Sequence, residues 1–255
     1  MQDSDVLAEQ DKEKIKKISD DMGDTEATLS LYHLSDMLSR YYGKKVIILL
    51  DEYDTPMQEA WLGGYWDDIV DLFRNMFNDT LKTNPYLYRA VLTGITRVSK
   101  ESIFSDLNHL VVVTVSSESY ADCFGFTENE VFDVLDEYSL SNQKQAVKEW
   151  YDGFTFGEHT DIYNPWSILN FLDTGKYTSY WANTSSNRLV GKLIQEGSHK
   201  VKQAFERLLC GEHLHCPIDE QIVYNQLDYS ESAIWSLLLA SGYLKVLSYD
   251  RLELL

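Results

Sequence analysis

Nowhere in this 255-residue chain does an apolar stretch reach the roughly 18 residues of a membrane-spanning helix, and no basic segment leads into an apolar one near Met1. Neither a membrane span nor a secretory signal is expected, so the chain is placed in the cytoplasm. Basic residues are scarce: 22 Lys and Arg stand against 41 Asp and Glu, a net charge of −19. The densest basic run, Lys12 to Lys17, is broken by Glu13 and flanked by acids such as Asp11 and Asp20, as on a solvated helix face. That balance argues against a broad grip on a phosphate backbone, and no direct nucleic-acid binding is expected. Cysteine is limited to Cys123, Cys210 and Cys216, which cannot all pair and read as reduced thiols. Six histidines scatter without a GxSxG turn, which sets aside Ser/His/Asp hydrolase chemistry. No repeat, low-complexity stretch or Pro/Gly-rich linker breaks the chain.

What is present suffices for a packed interior, with 44% hydrophobic and 13% aromatic residues. Residues 1–23 read as a polar helical leader. Leu31, Leu34, Leu38 and Tyr41 then recur on one helical face, and Gly43 follows as a stop. Val46 to Leu50 is a continuous aliphatic run, the pattern of a parallel strand buried on both faces. A helix is expected from about Tyr65 to Leu81, a second buried strand from Tyr88 to Ile95, and a third from Leu110 to Val115. Strand, helix, strand makes residues 24–115 an α/β layer. Residues 116–255 read as short amphipathic helices, at about 128–138, 143–150, 165–171, 187–196, 201–209 and 230–239. A small hairpin, Tyr243 to Ser248 and Arg251 to Leu255, is expected to end the chain.

Chemistry is concentrated where the first strand stops. Its last apolar residue, Leu50, meets Asp51 and Glu52 directly. A strand-end carboxylate can hold Mg²⁺ through water, and a second beside it can polarise an attacking water. Asp51 suits the metal role and Glu52 the base. The next strand runs into Thr93 and Gly94 and then Arg97, a polar group to orient water and a cation to stabilise developing charge at a γ-phosphate. The bland alternative is a pair of strand-to-loop turns whose charged residues face solvent.

Seven ordered segments carry a resemblance: LLDEYDTP (49–56), NPYLYRAVLTGITRVSKESIFSDLN (84–108), CFGFTENEV (123–131), EWYDGFTFG (149–157), IYNPWSILNFL (162–172), YWANTSSN (180–187) and SGYLKV (241–246). Together, from about residue 25 to the end, they resemble the bacterial AAA-ATPase-like domain family. The resemblance implies part of a P-loop NTPase parallel sheet with helices, followed by a mostly helical lid and C-terminal region. It implies ATP and Mg²⁺ as cofactors, Asp51 as the Walker B metal carboxylate and Glu52 as catalytic base, with Thr93 and Arg97 sensing the γ-phosphate. As partners it implies a C-terminal PD-(D/E)XK nuclease-like domain, and a homo-oligomer is compatible with it.

Two departures qualify this. No GxxxxGK[ST] exists in the chain: Gly43-Lys44-Lys45, Gly175-Lys176 and Gly191-Lys192 all lack the Ser/Thr and the upstream glycine. The phosphate loop is therefore expected upstream of Met1, and weak or absent ATP binding is expected of these residues alone. Nor does any D…(D/E)xK pair occur in a strand context, so nuclease chemistry is not assigned. Cys210, His213, His215 and Cys216 have zinc-ligating atoms, but their spacing is that of a polar loop. Trp150-Tyr151 and Asn164-Pro165-Trp166 read as packing and as a helix start rather than a base-stacking platform. Two other classes remain open: a nonenzymatic interaction module with a vestigial acid pair, and part of a nucleic-acid-processing enzyme.

Overall fold

The run VIILL forms strand β1 (Val46–Leu50), which pairs in parallel with β2 (Leu87–Leu92). The computed structural model describes residues 6–19, 21–95, 103–104, 107, 109–181, 188–220, 224, 227 and 230–248. These make a mixed α/β chain with two compact units, Met1–Leu110 with Gln221–Ala233, and Val111–Glu220 with Ile234–Leu255.

In the first unit, α1 (Glu9–Lys17) precedes α2 (Asp24–Tyr42), which ends at Gly43 in the left-handed region (φ 64°). Glycine reaches that conformation without the Cβ penalty, which is why the helix stops there. Between the strands run α3 (Thr55–Gly63), α4 (Trp66–Phe77) and a π-helical turn (Asn78–Lys82). Helix α3 was not anticipated by periodicity. Its few apolar residues, with Met57 and Ala60 fully buried, give too short a stripe. The ring of Phe104 stacks on Phe77 at 5.7 Å and lies 5.5 Å from Tyr53, and Tyr224 sits beside Trp61 and Trp66.

The expectation of a strand buried on both faces is corrected. Ile47 and Leu49 are 58% and 76% exposed, and Val91 shares their face because it pairs with Leu49. Helix α2 lies against β1 and the π turn against β2, so one layer covers one side. An apolar run reports what a strand could bury, not that both layers are present. The third expected strand is also corrected. Residues 110–115 pair with no strand among the described residues, and Val111 is 88% exposed. Local polar groups hold the end of that segment instead: Gly157 N donates to Val115 O at 2.8 Å, and Glu220 accepts from Thr114 Oγ1 at 2.7 Å and Ser116 N at 3.2 Å.

In the second unit, β3 (Phe126–Thr127), β4 (Asp152–Phe156) and β5 (His159–Tyr163) form an antiparallel sheet in the order β3-β5-β4. Around it pack α5 (Glu128–Glu137), α6 (Lys144–Tyr151) and α7 (Pro165–Thr174), whose core joins Val131, Leu135, Val147, Tyr151, Tyr163, Ile168 and Phe171. Thr127 and Glu130 cap α5 reciprocally, and Asn164 caps α7 by accepting from Ser167 N at 3.0 Å, with Pro165 in its first turn. Helices α8 (Arg188–Glu196), α9 (His199–Leu209) and α10 (Glu231–Ala240) follow. The terminal hairpin is corrected in its described half. After α10, Tyr243 N returns to Leu238 O and Gly242 N to Leu239 O, with Gly242 at φ 75°, a helix-ending motif rather than a strand. Arg251 to Leu255 lies outside the described residues.

Candidate functional site

At the carboxyl end of β1 the ladder continues past the strands through Thr93, the residue that follows β2. Thr93 N donates to Leu50 O and Thr93 O accepts from Tyr53 N, both at 2.9 Å. Asp51 and Glu52 are the two residues looped out between those bonds. That loop is tight: Glu52 stands at φ 51°, a conformation costly for a residue with a Cβ and concentrated at functional sites. Asp51 Oδ1 accepts from Glu52 N at 3.1 Å and from the Thr93 hydroxyl. Both carboxylates are exposed, and among the described residues no lysine or arginine pairs with either. Thr55 Oγ1 donates to Glu52 Oε2 at 3.4 Å.

The structure thus brings Asp51, Glu52 and Thr93 to one sheet end. Arg97 lies outside the described residues. One residue near them was missed in the sequence: Asp54, 3% exposed, whose Oδ1 accepts from Ile95 N at 3.3 Å. Its signal was available, since Asp before Thr-Pro marks a helix start and the acid lies three residues beyond Asp51.

The donor set can be tested against the groups that such an arrangement would hold. No three His, Cys, Asp or Glu side chains converge on a metal-holding position among the described residues. One exposed carboxylate with a hydroxyl beside it fits a cation that keeps most of its water, as Mg²⁺ does, and does not fit a closed zinc site. Nucleotide phosphates are a different matter. The sequence has no glycine-rich cradle opening a helix, so these residues do not by themselves fit a triphosphate.

A second group of acids, in the other unit, is neutralised internally. Lys148 pairs with Glu128 and, at 3.1 Å, with Asp161, while Lys245 Nζ lies 3.2 Å from Asp152 Oδ2. Tyr163 OH donates to Glu128 at 3.2 Å. Burial pushes Asp152 up from the ordinary carboxylate range, against Lys245, whereas hydrogen bonding from Lys148 holds Asp161 down. In the Cys/His segment Cys210 is exposed, and burial pushes the Cys216 thiol up, away from the thiolate that a metal needs.

Residues 3–104 match the family described as "Predicted AAA-ATPase". Asp51, Glu52 and Thr93 therefore lie within the matched segment, which begins earlier than the motifs indicated and ends at 104, so the motif segments from 123 onward fall outside it. The chain is also 28% identical over 155 residues to a protein of Azotobacter chroococcum mcd 1 described as "Uncharacterized protein in vnfD 5'region". That stretch is 60% of this chain and 30% of the relative, so the chain spans less than a third of the length of the curated relative that it matches. No solved structure matches it. No helix among the described residues is long and apolar enough to cross a membrane.

Proposed function

We propose that the first unit is the Walker B side of a P-loop ATPase module, in which ATP binding and hydrolysis control an attached nuclease-like domain or another partner. The observation that supports this most is the hydrogen bond from Thr93 to Asp51 at the joint end of two parallel strands, inside the AAA-ATPase-like segment. Mg²⁺ would be held by Asp51, with Thr93 beside it, and would neutralise charge on the phosphates. Glu52, exposed and without a cationic partner among the described residues, is suited to accept a proton from an attacking water. Arg97, four residues past Thr93, has the charge to stabilise a γ-phosphate. The phosphate cradle comes from another segment of polypeptide in this reading.

The test is phosphate release from ATP by a polypeptide extended upstream through a phosphate loop. Glu52→Gln should lower the hydrolysis rate by about 100-fold or more while leaving ATP affinity within about threefold. Hydrolysis unchanged in Glu52→Gln would remove the catalytic assignment and leave the interaction-module reading.

A further inference from the structure

We infer that Asp54 is a positioning residue, which holds the Thr93 hydroxyl against Asp51 by anchoring the chain just beyond Thr93. The inference rests on reading Asp51 and Thr93 as the cation-holding pair. Three observations carry it.

The first is a hydrogen bond that Asp54 does not make. Asp54 is the N-cap residue of α3, where an aspartate ordinarily accepts from the backbone N–H two or three residues on, yet its side chain makes no such cap. Pro56 removes one of those donors. The carboxylate is turned instead into the interior, where Ile95 N donates to it from 41 residues away.

The second is the glycine between. A Cβ on Gly94 would lie 2.3 Å from Asp54 Oδ1 and 2.9 Å from Tyr53 Cε1, so a side chain there would displace the carboxylate. Glycine at 94 is required by that close approach.

The third is the placement of the anchors. Thr93 is bonded through its backbone to Leu50 and Tyr53, and Ile95 through its amide to Asp54. The chain is therefore fixed on both sides of Gly94, and the direction of the Thr93 side chain follows from that. Without the Asp54 anchor, the segment leaving Thr93 loses the bond that ties Ile95 to the loop after β1, and the hydroxyl loses its fixed aim. Asp54 itself is too buried to meet a solvated ion, so it acts through Thr93.

The experiment compares wild type, Asp54→Ala, Asp54→Asn and Gly94→Ala in the full chain. NMR follows the Thr93 methyl and the Ile95 amide, and Mn²⁺ binding is measured by titration. Asp54→Ala and Gly94→Ala should speed exchange of the Ile95 amide by about fivefold or more and shift the Thr93 methyl. They should also weaken Mn²⁺ binding by on the order of 10–100-fold. Asp54→Asn, which keeps an acceptor for Ile95 N, should stay within about threefold of wild type in both readouts. That rescue separates positioning from bulk stability. Should Asp54→Ala unfold the first unit, Gly94→Ala carries the test, because it displaces the carboxylate without removing it. An unchanged Thr93 signal in Asp54→Ala or Gly94→Ala, or an Asp54→Asn as impaired as Asp54→Ala, overturns the inference. If wild type binds no Mn²⁺ at Thr93 while the variants still release Thr93 and Ile95, the anchor stands and the reading of Asp51 and Thr93 as a cation-holding pair falls.

Discussion

The two sheets treat their acids in opposite ways. In the antiparallel sheet of the second unit, Asp152, Asp161 and Glu128 meet Lys148, Lys245 and the Tyr163 hydroxyl. At the end of the parallel pair in the first unit, Asp51 and Glu52 face solvent with no cationic side chain beside them among the described residues, and Glu52 adopts a left-handed backbone. Carboxylates neutralised from within contribute to one fixed arrangement of strands. Carboxylates held in place but left without a counter-charge add little to stability and stay available to a cation from solution. The contrast in partners, rather than the number of acids, distinguishes a structural cluster from a candidate site in a chain of net charge −19.

The largest effect is expected from breaking that contrast on the structural side. Lys148→Met leaves Glu128 and Asp161 without their shared cation and should lower the unfolding free energy of the second unit by about 1–2 kcal/mol, read by urea denaturation. A loss within error would mean that those pairs are as dispensable as exposed ones. A smaller, pH-dependent effect is expected at Asp152. Burial raises its pKa, so the native state holds that proton more tightly than the unfolded chain. Its contribution is present below the unfolded carboxylate value, about 4, and is lost as pH rises through the folded value. Asp136 and Glu130, lowered by Lys144 and by the Thr127 cap, have the opposite sign: their contribution is present above that value and is lost as pH falls through their folded values. Asp152→Asn should therefore gain on wild type between pH 3.5 and pH 7, ending up to about 1 kcal/mol more stable. A variant that loses ground over that range would contradict the cause assigned to the shift. The smallest effect sharpens the other side: Asp51→Asn should change stability by less than about 0.5 kcal/mol, since no ion pair is broken. A loss above about 1 kcal/mol would make Asp51 structural.

The local elements of the fold could be read in advance, the pairing of the acids in the second unit could not, and the unread part has identifiable causes. The helix ending at Gly43, the strand meeting Asp51 and the cap at Asn164-Pro165 are local, so nearest-neighbour chemistry suffices to place them. Strands β3, β4 and β5 are two to five residues long and mix aromatic with polar residues, which gives periodicity little to work on. Residues 110–115 have the composition of a strand, but pairing depends on a partner that the composition of the segment does not specify. The same limit governs the site. Asp51, Glu52 and Thr93 each end an apolar run and are visible one at a time. The anchor from Asp54 across Gly94 to Ile95 spans 41 residues and appears only when the two strand ends are brought together.

If the proposed function is right, the sheet end carrying Asp51 and Thr93 takes a divalent cation in preference to the many other acids of this chain. Mn²⁺ titrated into isotope-labelled protein at substoichiometric amounts tests it directly, through paramagnetic broadening of backbone amides. Glu52, Thr93 and Ile95 should broaden first, and Asp51→Ala should abolish this while leaving the rest of the spectrum unchanged. Broadening spread evenly over the acidic surface, or persisting at Thr93 in Asp51→Ala, would contradict it.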